Sequence, residues 1–253
     1  MKRFFSACRF LTVLPVPEKW CGDASCLGGS FVMFPLVGVV IGLLSAAVAA
    51  AAYRIFPGSV AAVLVTIALL AASGGFHMDG LSDTADGFLS SRRRERILEI
   101  MKDSHVGAMG VIAIFCVLAL KIAALAALPR VVAWRVVLLM PIVGRCAMLI
   151  VLATLPYARP EGGLGSLFAQ ARNARTWAWG IGFLIAACVI LLGWRGAITA
   201  SAALALTALF ALFSYRKIGG ATGDVYGAAC ELAELVPPLV MVARFGIGHG
   251  GAA

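Results

Sequence analysis

Seven stretches of this chain carry almost no charge: 31–53, 60–75, 106–128, 131–155, 176–193, 197–215 and 232–245. A run of roughly 20 apolar residues is what a helix needs to cross the ~30 Å hydrocarbon core of a bilayer. Lipid offers backbone groups no hydrogen-bond partner, so a spanning segment must satisfy them within itself. The expected fold is therefore all-α, a polytopic membrane protein of about seven transmembrane helices in one domain over residues 1–253. Composition supports this: 62% of residues are hydrophobic and 13% charged, whereas soluble domains carry about 25% charged residues.

The spans are not alike. The first has Pro35 near its start and Gly38 and Gly42 four apart, a spacing that lets helices pack closely. The second is short, so its helix either extends into the polar stretch that follows or crosses where the bilayer is thin. The last is broken by Pro237 and Pro238. The opening MKRFFSACRFLTVLPVP lacks a cleavage pattern and is expected to stay as a short helix at the membrane interface, within a cytoplasmic or interfacial segment over residues 1–30. Residues 246–253 are expected to be a disordered tail.

The net charge is +9, and most of the excess lies in short loops. Placing the N-terminus in the cytoplasm puts Arg92, Arg93, Arg94, Arg96, Lys102, Arg159, Arg172, Arg175, Arg216 and Lys217 inside. Arg54, Arg130 and Arg195 then lie outside, as the positive-inside bias requires. Segments 75–105 and 216–231 become cytoplasmic motifs at the inner membrane. The basic excess suits anionic lipid, and no groove-reading or stacking motif points to nucleic acid. The seven cysteines form no CxxC and no zinc spacing; free thiols are expected.

Half of the chain's twelve acidic residues lie between Gly75 and Gly110: Asp79, Asp83, Asp86, Glu95, Glu99 and Asp103. On a helix, positions i, i+4 and i+7 fall within about 60° of one another, so Asp79, Asp83 and Asp86 form one stripe. Such a stripe is either a solvated face or a cation site. Its oxygen donors suit Mg²⁺, with Mn²⁺ possible. A second cluster, Gly219-Gly220-Ala221-Thr222-Gly223-Asp224, precedes Glu231 and Glu234. Its glycines allow backbone to approach a ligand, making Gly220, Thr222 and Gly223 substrate-binding candidates. It reads either as a helix start or, with the stripe, as half of a two-metal phosphate site. Arg145 sits in mid-span, where a charge normally faces a polar cavity, and is a phosphate-ligand candidate. Lys121 and Arg135 are expected to snorkel, and His77 and His105 to be structural. Arg159, Glu161 and the glycines at 162, 163 and 165 form either a plain loop or a substrate cover.

HMDGLSDTADGF, LEIMKDSHVGAMG and GGATGDVYGAACE, with FLTVLPVP, FPLVGVVIG and LPYARPEGGLG, resemble the cobalamin synthase family, adenosylcobinamide-GDP ribazoletransferase. The resemblance spans nearly the whole chain. It implies a Mg²⁺-dependent membrane transferase that joins adenosylcobinamide-GDP to α-ribazole or its 5′-phosphate and releases GMP. On that reading Asp79, Asp83, Asp86 and Asp224 are metal ligands, and Lys102 and Asp103 are motif residues that contact or orient a phosphate. The same stretches are similar to CDP-alcohol phosphotransferases. Asp83-Thr84-Ala85-Asp86-Gly87 matches the first half of that pattern, and Gly220 to Asp224 opens the second. Ala228 stands where the pattern has its last aspartate, leaving Glu231, beside Asp86 and Asp224, as the candidate catalytic base. The rivals are a secondary transporter, a scaffold for soluble enzymes and a phospholipid-forming phosphotransferase. Homo-oligomerisation is left open.

Overall fold

The computed structural model describes residues 1–159 and 161–244; the tail expected at 246–253 lies outside them. In chain order the helices are α1 (Lys2–Leu11), α2 (Ala24–Gly28), α3 (Phe34–Ile55), α4 (Gly58–Ser73), α5 (Phe76–Phe88) and α6 (Arg94–Ile100). They continue with α7 (Ala108–Ala126), α8 (Arg130–Thr154), α9 (Ala174–Leu192), α10 (Trp194–Ile218), α11 (Gly223–Glu234) and α12 (Val236–Val242). Short 3-10 turns precede α2, α3 and α9. Among the described residues there is no strand, only a single parallel bridge between Tyr157 and Ala221. Among the described residues, six helical segments are long and apolar enough to cross a membrane, or seven if α4 and α5 count as one broken span. The chain is a multi-pass membrane protein.

Helix α8 is the axis. Its sequence is apolar on all sides, and such a helix belongs in the middle of a bundle. From Val136 to Ala153 every residue of it is buried. Helices α3, α9 and α11 pack around it. The Gly38/Gly42 pair lets α3 lie against the α8 backbone: a Cβ on Gly38 would stand 2.7 Å from the Pro141 carbonyl oxygen.

Two segments differ from expectation. Helix α4 is only 16 residues long, about 24 Å at 1.5 Å per residue. It continues into the acidic stretch, one of the two expected routes, but not straight. Gly74 and Gly75 both take left-handed φ values, 64° and 76°, and the chain turns through 91° into α5. L-residues with a Cβ rarely adopt two such conformations in succession, so the paired glycines make the corner. The last span is Gly223–Val242, not 232–245. Pro237 and Pro238 open α12 rather than break a helix, because the first helical positions need no N–H. The motif at 216–231 comprises the end of α10, a tight turn and the first part of α11.

The loops sort onto two faces. One gathers residues near 101, 158 and 218: Arg94 donates to the carbonyls of Ile218 and Ala158, 2.8 Å each, and Arg159 donates to that of Met101. The other holds Arg54 and Arg130, which line one cavity, and Arg195, which donates to Met241.

Candidate active site

The acidic stripe forms because α5 is one unbroken helix from Phe76 to Phe88. Asp79, in its first turn, is favoured there by the helix dipole and is exposed; Asp83 and Asp86 are half-buried. Asp86 also ties α5 to α7. Its two carboxylate oxygens accept from the Gly107 and Gly110 N–H groups at 2.7 and 2.8 Å, satisfying donors that the start of a helix leaves open.

Asp224 arrives from 138 residues away along the chain, a contact no local signal specifies. Helix α11 starts on Thr222, whose hydroxyl accepts from the Val225 N–H and donates to Asp224 Oδ2 at 3.1 Å. Helices α5 and α11 cross on glycines. A Cβ on Gly80 would stand 2.8 Å from the Asp224 carbonyl oxygen, and one on Gly227 would stand 3.1 Å from that of His77. The crossing sets Asp224 beside the stripe. The turn before α11 is held by a neighbour: Ala221 N–H donates to Pro156 and Ala158 N–H to Ala221, 2.9 Å each. This pairing brings Arg159 to Asp224 Oδ2 at 2.9 Å. The loop glycines at 163 and 165 lie over Tyr157, Tyr226 and Gly223, so this loop does cover the start of α11.

The electrostatics are unbalanced. Asp83 feels the negative charges of Asp224, Asp79 and Asp86 and the positive charge of Arg159. Around Asp83, three further carboxylates therefore stand against the one guanidinium of Arg159. Among the described residues, no three His, Cys, Asp or Glu side chains stand close enough to hold a metal ion by themselves. The donors are nonetheless all hard oxygen atoms. That set fits an ion such as Mg²⁺, which takes part of its shell from water and phosphate rather than from a dedicated protein cage.

The other candidates are spread around this centre. Lys102 is exposed and pairs with Glu161, holding that carboxyl below its usual range. Asp103 accepts from the His105 ring at 2.6 Å, which lowers the Asp103 carboxyl and raises the His105 ring from their ordinary values. Burial pushes the Tyr157 hydroxyl up, while Arg159 acts the other way. Gly220 is buried against Pro156, and Gly223 begins α11 at the stripe.

Glu231 and Arg145 lie elsewhere, inside the bundle. Glu231 is seven residues beyond Asp224, about 10 Å along the helix, and its carboxylate meets Lys121 Nζ at 2.8 Å. Lys121 also meets Glu234 at 3.1 Å, Glu234 pairs with Arg145, and Arg145 reaches His77 Nδ1 at 3.4 Å. All are buried. Lys121 does not snorkel: it points inward to two carboxylates, which stabilise it where lipid could not. Two acids and two bases cancel, so Glu231 serves as a buried ion-pair partner here rather than as a free base beside the aspartates. Arg135 stays at the periphery, over the Trp134 ring. Sequence reasoning missed the anchoring role of Arg94, hidden in an arginine run, and the Lys121 network. The i, i+3 spacing of Glu231 and Glu234 was the available signal for the latter.

Residues 3–242 match the family model described as cobalamin-5-phosphate synthase. A Desulforamulus reducens protein named adenosylcobinamide-GDP ribazoletransferase is 41% identical over 228 residues, 90% of this chain and 91% of that one. Proteins of the same name from Acetivibrio thermocellus and Roseiflexus sp. are 36% and 41% identical, over 92% and 91% of this chain and 94% and 85% of theirs. No solved structure matches the chain.

Proposed function

The chain belongs to the cobalamin-5-phosphate synthase family, and from that premise we propose how its residues carry the reaction. It is a transferase of cobalamin biosynthesis, acting on adenosylcobinamide-GDP and ribazole as its relatives' name states. A ribose hydroxyl of α-ribazole, or of its 5′-phosphate, attacks the phosphorus that bears cobinamide. A new O–P bond forms, the bridging P–O bond breaks, and GMP leaves with the bridging oxygen. The hydroxyl proton passes to a stripe carboxylate.

The single observation that carries this reading is the convergence of Asp224 on the Asp79, Asp83, Asp86 stripe with one cation, Arg159, among them. Bound Mg²⁺ would neutralise the diphosphate and the leaving oxygen. Asp79, Asp83, Asp86 and Asp224 would hold it. The Gly107 and Gly110 N–H groups keep Asp86 oriented, and Thr222 and Arg159 do the same for Asp224. Arg159 and Lys102 lie on the face where a diphosphate would arrive. That face is the richer in Lys and Arg, which supports a cytoplasmic active site in a cell inner membrane bearing anionic lipid.

The test is GMP release by the purified full chain in lipid nanodiscs, with adenosylcobinamide-GDP, α-ribazole and Mg²⁺. A CDP-alcohol reaction is run beside it. Asp83→Asn should insert normally and lose at least about 10²-fold in turnover, the scale of losing a transition-state charge contact. Undiminished GMP release in excess EDTA would refute the metal assignment.

A further inference from the structure

The stripe has two ends, and each opens into a different cavity. Asp79 lines a cleft of about 570 Å³ between the α4–α5 corner and α7, walled by Leu70, Phe76, Met78 and Ile114. Ser82 also lines it, and its hydroxyl oxygen is buried without a hydrogen-bond partner. Asp86 lines a cavity of about 310 Å³ whose walls are Arg96, Glu99, Asp103 and His105. Val106 borders both. The two ends are seven residues apart, about 10 Å along α5.

Phosphoryl transfer needs the incoming and leaving oxygens roughly in line, on opposite sides of phosphorus. With the phosphorus over Asp83 and the line of attack running along α5, the nucleophile would lie toward one end of the stripe and the leaving group toward the other. The two groups differ in character. The acceptor is a flat, largely apolar base on a ribose; the leaving group is a guanine nucleotide, polar throughout. An apolar cleft with one unpaired hydroxyl and one carboxylate matches the first: the walls take the base, and Ser82 and Asp79 are placed to bond ribose hydroxyls. A lipid chain would leave that buried hydroxyl unpaired, which costs free energy. Carboxylates beside cations match the second, since guanine offers N–H donors and its nucleotide a phosphate.

Resting on the reaction proposed above, we propose that the cleft at the Asp79 end binds the base and ribose of the acceptor nucleoside, and the polar cavity at the Asp86 end binds the departing guanine nucleotide. The orientation of both substrates along α5 follows.

The experiment measures KM for each substrate by GMP release from the full chain in nanodiscs. Ile114→Trp, which fills the cleft from α7, should raise the acceptor KM about tenfold or more and leave the donor KM within about twofold, as shape changes in an apolar pocket do. Glu99→Gln should raise the donor KM, and less so for a donor carrying inosine in place of guanosine, leaving the acceptor KM alone. Ile114→Ala should improve kcat/KM for an acceptor whose base carries an extra fused ring, which keeps the proposal testable if the tryptophan variant fails to fold. An unchanged acceptor KM in Ile114→Trp, with no gain for the larger base in Ile114→Ala, would assign the cleft to lipid and overturn the proposal. Exchanged KM effects would overturn the orientation. Absence of GMP release by the unsubstituted chain would instead sink the reaction itself.

Discussion

The α5–α11 crossing can be tested with one methyl group. Gly80→Ala places a Cβ 2.8 Å from the Asp224 carbonyl oxygen and 3.0 Å from its Cα. Ordinary contact begins at 3.4 Å, so the helices must part by about 0.6 Å, and the obstacle is backbone that cannot rotate away. Overpacking of this size costs about 1–3 kcal/mol in stability. The effect on catalysis should be larger, because the same displacement separates Asp79 and Asp83 from Asp224, and a misplacement near 1 Å can cost about 10²-fold in rate. Gly38→Ala supplies the matched control. It meets the Pro141 carbonyl oxygen at 2.7 Å, an insult of the same kind between α3 and α8, with no site aspartate on either helix. Both variants should lose comparable thermal stability in nanodiscs, while kcat for GMP release falls about 10- to 100-fold in Gly80→Ala only. Equal losses of kcat in the two variants would refute the claim that this crossing sets the catalytic spacing. So would a Gly80→Ala loss no greater than its folded fraction explains.

Lys121→Met leaves Glu231 and Glu234 buried without their shared cation and should cost about 3–5 kcal/mol in unfolding free energy. Adding Glu231→Leu should restore much of it, measured by detergent titration. On the surface, His105 has a raised folded value because of Asp103, so their bond is fully present below the ordinary histidine value and is lost as pH rises through the folded one. Asp103, lowered in turn, loses the bond only as pH falls through its own folded value. The His105 ring should accordingly titrate above 6.5 by NMR, and Asp103→Asn should return it toward that value.

The fold class was legible because bilayer length and charge poverty leave few alternatives. The stripe was legible because Asp79, Asp83 and Asp86 are local, and helical periodicity alone decides that they share a face. Three things were not. The corner at Gly74–Gly75 needs two left-handed residues, and a GG pair in an apolar run reads equally as close packing. The Asp224 contact depends on a crossing between helices distant in sequence. The fate of Lys121 turned on partners from another helix: a lone lysine in an apolar span can reach for water or for a carboxylate, and only the packing of α7 on α11 chooses.

The two groups of charges in this bundle obey different balances, and the difference separates the paired interior acids from those proposed for the site. In the interior, Lys121 and Arg145 match Glu231 and Glu234 one for one, as burial demands, since an uncompensated ion at membrane depth costs several kcal/mol. At the stripe four carboxylates gather, and the cation acting on Asp83, Arg159, is already bonded to Asp224. Surface exposure of Asp79 tolerates some excess, but Asp83 and Asp86 are half-buried, and one partner cannot neutralise them. Burial relieves itself of such an excess by protonation or by a bound cation. Only the second also attracts a diphosphate. The deficit of positive charge at the stripe is therefore the feature that a magnesium–diphosphate complex would complete, and the interior network, already neutral, has nothing comparable to offer a substrate.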